Sequence, residues 1–432
     1  MKTLKIQKWS GESILECAEK IAHKPYTLFF DSNRPTHPSS QWSFLCYDPI
    51  EIIETKNGTI THNKCIIKET NFFEFLQSRL DKYSLNNESN IPFIGGAAGY
   101  FGYDLGRQIE NLPNNTEDIL NAPDAAIGIY NNVIAHDHKK NETWLIGDAP
   151  EFQEVKKTDD IKNKDIQFTS NKTDADYCND IQKIIDYIYA GEIYQANLSR
   201  LFMADLPKNF NSFGHYKKLR KINSAPYAGF MNFGDMQLLS CSPEQFLSLK
   251  KNIITTCPIK GTLPSNQNPQ ELLTSEKDRA ENIMIVDLLR NDISKVSKPN
   301  SVKVDSLCAL ETFEGLHHLV STVTGELQDS KSATDLLQSC FPGGSITGAP
   351  KIRAQEIIEE IEDTRRGPYC GAMGYIGFDG TMDSNIIIRT VIVKDDTAYL
   401  NLGSGIVSDS VPEKELQETN DKGIKIFESF KT

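Results

Sequence analysis

The feature of this sequence that most restricts its fold is a set of short apolar segments joined by tight turns. Asn57 and Gly58 separate the segments 50–54 and 59–67, and Asn-Gly is a pair typical of two-residue hairpin turns. A comparable turn occurs at residues 379–380. Strands that are joined by hairpin turns are antiparallel, so the sequence predicts large antiparallel sheets.

Two apolar segments are each predicted to form one continuous strand. Residues 127–135 are the first, and they precede a polar turn. Residues 385–394 are the second, and there Arg389 is a charged residue between apolar neighbours. A buried Arg needs a carboxylate or phosphate partner, which a substrate could supply. An exposed position at a sheet edge is the alternative.

Helices are predicted between these strands. Residues 14–21 and 72–80 have helical patterns, and a longer helix begins after Thr173, which can cap it, and stops at Gly191. Helices that alternate with antiparallel meanders indicate the α+β class, with large antiparallel sheets and helices packed outside them.

Length and composition fit a globular chain of two parts. The 432 residues allow two domains or one large domain with two halves. The polar segment 151–173 is predicted to be a solvated connection between an N-terminal half, residues 1–150, and a C-terminal half, residues 174–432. The nine cysteines contain no C-x-x-C pair, which argues against a zinc ribbon.

The charge balance restricts the partners of the chain. Lys and Arg total 46 and Asp and Glu total 59, so the net charge is −13, which argues against nucleic acid or an anionic membrane as the main partner. No apolar run approaches the roughly 20 residues that span a bilayer. The N-terminal segment lacks the apolar region of a signal peptide, so we expect a cytoplasmic protein.

Two predicted helices each present two acidic residues three positions apart. Asp278 and Glu281 lie in the first, and Glu415 and Glu418 lie in the second, which Ser410 is predicted to cap. This spacing places each pair on one helix face. If the two faces meet, they would supply oxygen ligands for a hard cation such as Mg²⁺. A solvated helix face is the alternative for each pair.

Two further segments could act on a ligand. Lys260 precedes Gly261 where a strand is predicted to end, and burial in a pocket would lower its pKa and favour the neutral, nucleophilic amine. Glu244 could accept the proton, although its own charge would oppose that lowering. A surface lysine is the alternative. Gly403 and Gly405 could bring backbone N–H groups close to an anion, or could simply form a turn.

Together these segments resemble the chorismate-utilising enzymes, the family of anthranilate, aminodeoxychorismate, isochorismate and salicylate synthases. The resemblance is carried, in the family's order, by residues 277–282, 285–292, 318–321, 341–351, 403–407 and 412–415, and less distinctively by 95–104. It implies one large two-layer antiparallel β-sandwich with outer helices, to which both halves contribute. Aminodeoxychorismate synthases typically carry Lys at the position of Lys260, where the other branches typically carry Ala. The resemblance therefore implies amination of chorismate to 4-amino-4-deoxychorismate in folate biosynthesis.

The resemblance also implies a metal site built by the two acidic pairs. Glu281 and Glu418 would bind Mg²⁺ directly, and Asp278 and Glu415 would act through water molecules on the metal. Asp278 is shorter than the Glu that is common at its position. The Mg²⁺ would hold the ring carboxylate of chorismate.

The remaining matched residues would bind chorismate or react with it. Lys260 would attack C2 of the ring while the C4 hydroxyl leaves, and ammonia would then add at C4 and expel the lysine. Glu244 would accept the lysine proton, and His318 would be an acid near the leaving hydroxyl. The residues expected to contact substrate are Gly261, Thr262, Tyr369, Arg389, Gly403, Ser404 and Gly405.

Partners and rival functions follow from the same resemblance. No glutaminase motif is present, so ammonia must come from solution or from a separate glutamine amidotransferase subunit, with which we expect this chain to form a heterodimer. Some family members hold tryptophan in an N-terminal pocket, which would form near Ser32 and Ser43 here, although a strand end packed on the core explains these residues equally well. Anthranilate synthase is the enzymatic alternative, and Lys260 argues against it. The other alternative is a non-catalytic scaffold for an amidotransferase.

Overall fold

The computed structural model describes residues 4–34, 37, 39–67, 71–152, 165–313 and 316–431. Much of the predicted connection 151–173 lies outside the described residues, and its described C-terminal part contains a short strand, Thr169–Ser170. Within the described part of the chain, no helix has the length and apolar character needed to cross a membrane.

The described residues form strands and helices whose bounds follow in chain order. The strands are β1 (Ile6–Lys8), β2 (Thr27–Asp31), β3 (Trp42–Cys46), β4 (Glu51–Lys56), β5 (Thr59–His62), β6 (Cys65–Ile67), β7 (Gly96–Phe101), β8 (Ala125–Tyr130), β9 (Val133–Asp137), β10 (Glu142–Ile146), β11 (Thr169–Ser170), β12 (Gln195–Asp205), β13 (Tyr227–Asn232), β14 (Met236–Ser242), β15 (Gln245–Lys250), β16 (Ile253–Thr256), β17 (Ile259–Pro264), β18 (Lys303–Phe313), β19 (Leu316–Glu326), β20 (Gly348–Ala349), β21 (Ala372–Gly377), β22 (Met382–Ile386), β23 (Thr390–Lys394) and β24 (Thr397–Ile406). The helices are α1 (Ile14–Ile21), α2 (Phe72–Lys82), α3 (Asp174–Tyr189), α4 (Ser212–Ile222), α5 (Pro269–Leu273), α6 (Glu276–Ser294), α7 (Ala333–Cys340), α8 (Lys351–Ile361) and α9 (Pro412–Ser429).

The strands form two antiparallel sheets of twelve strands each. The first runs β1-β10-β9-β3-β2-β13-β14-β23-β24-β12-β11, with β20 paired to β12. The second runs β17-β19-β16-β15-β22-β21-β7-β8-β4-β5-β6, with β18 paired to β19. Each sheet therefore contains strands from both the N-terminal and the C-terminal part of the chain.

The two sheets face each other, and the helices cover their outer faces. Phe44 of the first sheet and Tyr375 of the second meet between the sheets, with ring centroids 5.5 Å apart. Helices α1, α4 and α9 pack on the first sheet, and α2, α6 and α7 pack on the second. The predicted α+β sandwich with outer helices is confirmed.

Both segments that were predicted as single strands cross from one sheet to the other. Residues 127–135 divide into β8 of the second sheet and β9 of the first, and residues 385–394 divide into β22 of the second sheet and β23 of the first. Arg389 lies at this second crossing, with a φ of 51°. The continuous-strand predictions are wrong because an apolar pattern looks the same whether a strand stays in one sheet or passes to the facing one.

The glycine-rich segment at residues 95–104 forms β7, in the middle of the second sheet. A Cβ atom on Gly96 would lie 2.1 Å from the carbonyl oxygen of Ile376, and one on Gly99 would lie 2.1 Å from that of Ala126. Both glycines have positive φ, 149° and 156°. Glycine is required here because any side chain would collide with the backbone of the neighbouring strands β21 and β8.

A buried ion pair connects three segments of the chain. Arg366 and Glu362 have side chains that are 1% and 5% exposed, and their charged atoms are 2.7 Å apart. Arg366 also donates to the carbonyls of Ile346 and Asn197, at 2.9 and 2.6 Å. Glu362 accepts from the backbone N–H of Ser199, at 2.8 Å. Every charged group is satisfied, so the pair holds β12, α8 and the turn at Ile346 together.

Removal of one partner of this pair should be costly. We expect Arg366→Met to lower the free energy of unfolding by about 3–5 kcal/mol, because Glu362 would remain buried without its counter-ion. The urea midpoint measures this effect. Arg290→Met is the matched control, since its pair with Asp287 is 49% and 77% exposed. An equal, small effect of both substitutions would contradict the role of the Arg366 pair.

Candidate active site

A cavity of about 780 Å³ opens where the chain crosses between the sheets. The structure brings most of the predicted site residues to its wall: Glu244, Lys260, Gly261, Asp278, Glu281, His318, Tyr369, Arg389, Gly403, Gly405, Glu415 and Glu418. Ser404 is fully buried and is not among the residues of this wall. The side chain of Thr262 lies outside the described residues, although its backbone pairs with His318 in the sheet.

Two crossings between the sheets position Glu244 and Arg389. The chain passes from β14 to β15 at Pro243 and Glu244, and from β22 to β23 at residues 387–389. The crossings bond to each other: Cys241 N donates to Arg389 O, and Ile386 N donates to Glu244 O, both at 3.1 Å. Both side chains therefore enter the gap between the sheets instead of belonging to either face.

Lys260 lies within strand β17 and not at the predicted end of a strand. Gly261 follows it with a φ of 77° and shifts the pairing register with β19, so the turn-like sequence marks a β-bulge. The Lys260 ammonium donates to Glu281 Oε1 at 2.7 Å, and both side chains are 14% exposed. Lysine and carboxylate thus form an enclosed ion pair on the cavity wall.

The charge of Lys260 is governed by the carboxylates around it. Burial acts to lower the pKa of Lys260, as predicted, but Glu281, Glu244 and Glu418 together outweigh it, and the pKa is raised above its usual value. Glu281 has the largest effect among the three, whereas the sequence had suggested Glu244. Lys260 is therefore a protonated cation here, and it must release a proton before it can act as a nucleophile.

The two acidic pairs lie near the N-termini of α6 and α9, as predicted. The predicted cap of α9 is wrong: Val411 is its N-cap residue and makes no side-chain bond. Ser410 instead donates to Glu415 Oε1 at 2.7 Å, because its hydroxyl turns toward that carboxylate. Lys277 of α6 lies 3.6 Å from the same oxygen, so this contact joins the two helices.

The donor set of the cavity fits a hard cation in kind but is not gathered around one point. Four carboxylates line the same cavity, and carboxylate oxygens are ligands that Mg²⁺ prefers. Glu281 is bonded to Lys260, and Glu418 lies 2.8 Å from Lys422. Among the described residues, no three His, Cys, Asp or Glu side chains are grouped closely enough to hold a metal ion. Lys260 and Lys422 are thus paired with two of the carboxylates that a bound cation would need.

His318 lies on the wall of the cavity, where its ring is mostly buried and is near Arg34 and Arg389. The pKa of His318 is lowered to about 4, mainly by burial and in addition by the positive charges of Arg34 and Arg389. The imidazole is therefore neutral at pH 7. It can offer a hydrogen bond to a leaving hydroxyl, but it does not carry the extra proton of an imidazolium acid.

Several residues at the site were missed by the sequence analysis. Gln195 donates to Glu281 Oε1 at 2.8 Å, and Lys422 donates to Gly403 O at 2.9 Å. Ser345 donates to Glu244 Oε1 at 2.6 Å. Ser345 lies in one of the family-like segments and could have been noticed there, whereas nothing in the sequence around Gln195 or Lys422 indicated a contact with distant residues.

The region predicted for tryptophan is engaged by the protein itself. Ser43 Oγ accepts from Ser32 N at 3.1 Å and contacts His138 Nε2 at 2.8 Å, and Ser32 Oγ donates to Trp42 O at 2.6 Å. These contacts are those of a strand end packed on its neighbours. Tryptophan binding stays a prediction.

Comparison with known proteins agrees with this arrangement. A family model described as chorismate binding enzyme matches residues 26–428. The chain belongs to the chorismate-binding enzymes. It is 39% identical to aminodeoxychorismate synthase component 1 of Salmonella typhimurium, over 97% of this chain and 96% of that protein. It is 36% identical to anthranilate synthase component 1 of Acetivibrio thermocellus, over 90% of this chain and 87% of that protein.

A solved structure shows the same fold. Anthranilate synthase component I from Streptococcus pneumoniae superposes with a TM-score of 0.81 at 33% identity, covering 91% of this chain and 93% of that one. The predicted family is therefore confirmed.

The neutral state of His318 can be measured directly. We expect the His318 imidazole to titrate near pH 4 in NMR spectra of the ring nitrogens, with its signal assigned by its loss in His318→Asn. Arg34→Met should raise this pKa, because it removes a nearby positive charge. Titration of His318 near its unperturbed value of about 6.5 would contradict the burial described above.

Proposed function

We propose that this chain aminates chorismate at C4 to give 4-amino-4-deoxychorismate, the step that leads to 4-aminobenzoate in folate biosynthesis. The observation that carries the proposal is the placement of Lys260 on the cavity wall, within a family fold and near Glu244. Full-length relatives named aminodeoxychorismate synthase component 1 support it. Anthranilate synthase relatives share the fold, and Lys260 is the feature that separates the two activities.

In the proposed reaction Lys260 first forms a bond to the ring and is later displaced from it. Its ammonium leaves Glu281, a proton passes to Glu244, and the neutral Nζ forms a bond to C2 while the bond between C4 and its hydroxyl breaks. His318 donates a hydrogen bond to that hydroxyl, and the proton that Glu244 accepted passes to it, so that the hydroxyl leaves as water. Ammonia then forms a bond to C4, and the bond between C2 and Lys260 breaks. Two successive displacements return nitrogen to the carbon that the hydroxyl left.

Two different sets of residues would bind the two substrate carboxylates. Arg389, Tyr369 and the backbone N–H groups of residues 403–405 would bind the enolpyruvyl carboxylate. This edge of β24 is open because its pairing with β23 ends at Leu400. Glu281 and Glu418 would hold Mg²⁺, with Asp278 and Glu415 in support, and the bound ion would offset the negative charge of the ring carboxylate.

The nitrogen source is proposed to be ammonia from a separate subunit. The relatives are named component 1, which implies a second component, and no Cys of this chain lies in a Gly-x-Cys-x-Gly elbow. We propose that a glutamine amidotransferase forms a heterodimer with this chain and supplies ammonia to the cavity.

Product analysis tests the proposal. With chorismate, Mg²⁺ and an ammonium salt, we expect the pure chain to form 4-amino-4-deoxychorismate, with higher rates at alkaline pH, where free ammonia is more abundant. Glutamine in place of ammonium should give no product until an amidotransferase partner is added, which serves as the control. Anthranilate and pyruvate as products would contradict the proposal in favour of the anthranilate synthase reaction.

The metal assignment makes its own prediction. Glu281→Gln and Glu418→Gln should each lower turnover by about 100-fold or more, given that even outer-shell partners of metals are worth about 10–100-fold. Both should weaken Mg²⁺ binding in calorimetry while the circular dichroism spectrum shows an intact fold. Glu413→Gln is the matched control, since Glu413 lies in the same helix but outside the cavity wall. Full activity of the enzyme in excess EDTA would refute the assignment.

A further inference from the structure

Ser345 contacts Glu244, the carboxylate that accepts the Lys260 proton in the proposed reaction. Its Oγ donates to Glu244 Oε1 at 2.6 Å, although the two residues are 101 positions apart in the chain. Cations also surround Glu244: Lys260, Arg389 and Lys422 all act on it electrostatically. Ser345 differs from these cations because it is neutral and donates a hydrogen bond directly to a carboxylate oxygen of Glu244.

Two glycines allow the segment that carries Ser345 to approach this closely. A Cβ atom on Gly343 would lie 2.9 Å from Ile386 Cδ1, and one on Gly344 would lie 2.6 Å from Leu288 Cδ2. A larger residue at either position would have to displace the side chain of Ile386 in β22 or of Leu288 in α6, or shift the turn that carries Ser345. The glycine pair therefore favours the close packing that brings Ser345 to Glu244.

The turn is also fixed by hydrogen bonds on its far side. The 3₁₀ turn Gly344–Ile346 includes Ser345 itself. The buried Arg366 donates to Ile346 O, and Thr347 Oγ1 donates to Gly343 O, both at 2.9 Å. A hydroxyl held on so constrained a backbone has little freedom to leave its acceptor.

We propose that Ser345 is the positioning residue for Glu244, occupying Oε1 so that Oε2 is the oxygen that receives the Lys260 proton. This inference rests on the proposed function, because it concerns the base of that reaction. The hydroxyl also favours the ionised form of Glu244, the form that can accept a proton. Burial raises the pKa of Glu244, and the bond from Ser345 opposes this rise, as do Lys260, Arg389 and Lys422.

The experiment measures the rate at which the Lys260 adduct of chorismate forms, across pH, in the full chain with Mg²⁺ and without a nitrogen source. Loss of the hydroxyl in Ser345→Ala should raise the pKa of Glu244 and move the acidic limb of the profile upward by about one pH unit, the size of a hydrogen bond to a charged group. At pH values below this limb, the adduct should form about tenfold more slowly in Ser345→Ala than in wild type.

Two variants separate positioning from a structural effect. Ser345→Thr keeps the hydroxyl and should keep the wild-type limb. Ser242→Ala removes another buried hydroxyl beside Glu244, one that bonds only backbone groups, and should leave the limb in place. A uniform loss of rate in Ser345→Ala without a shift of the limb overturns the inference. Absence of the adduct from wild type at every pH overturns the proposed covalent function, which is a distinguishable result.

Discussion

The site depends on the passage of the chain between two facing sheets. A strand inside a sheet points each side chain to one face or the other, but a chain that crosses has left both hydrogen-bond ladders. Glu244 and Arg389 occupy two such crossings, and the crossings bond to each other through Cys241 and Ile386. This places a carboxylate and a guanidinium in the gap, where a packed β-sandwich would otherwise be filled by apolar side chains.

Charge is distributed unevenly around the resulting cavity. Four carboxylates from the first two turns of α6 and α9 line it. Arg389 and the neutral His318 line the same cavity, and the glycine segment 403–405 lies close to the carboxylates, since a Cβ atom on Gly405 would be 3.1 Å from Glu281 Oε1. A substrate that carries two carboxylates therefore needs a cation to offset the negative charge of this wall. Lys260 is hydrogen-bonded to Glu281 in this structure, and in the proposed reaction it must leave that partner before it reacts.

Much of this arrangement could be predicted from the sequence, and the limits have physical causes. Hairpin turns indicated the antiparallel sheets, and motifs with family-like order indicated the cavity-lining residues. The sheet crossings at residues 131–132 and 387–389 were missed, because apolar periodicity does not record which sheet a strand joins. The contacts of Gln195 and Ser345 were missed, because they join residues 86 and 101 positions apart that only the folded topology brings together. The partners of Lys260 also determine its pKa, and no local pattern contains them.

The central claim is that Lys260 is a nucleophile and not only a cation in a binding site. Intact-mass spectrometry of the chain mixed with chorismate and Mg²⁺, without ammonia, tests it most directly. We expect the mass of the chain to increase by that of chorismate less one water. The added mass should map to the peptide that carries Lys260 and should be absent from Lys260→Ala. We also expect Lys260→Arg to be inactive, since a guanidinium stays protonated near neutral pH. A wild-type chain that turns over without any adduct, together with near-normal activity of Lys260→Arg, would contradict the account.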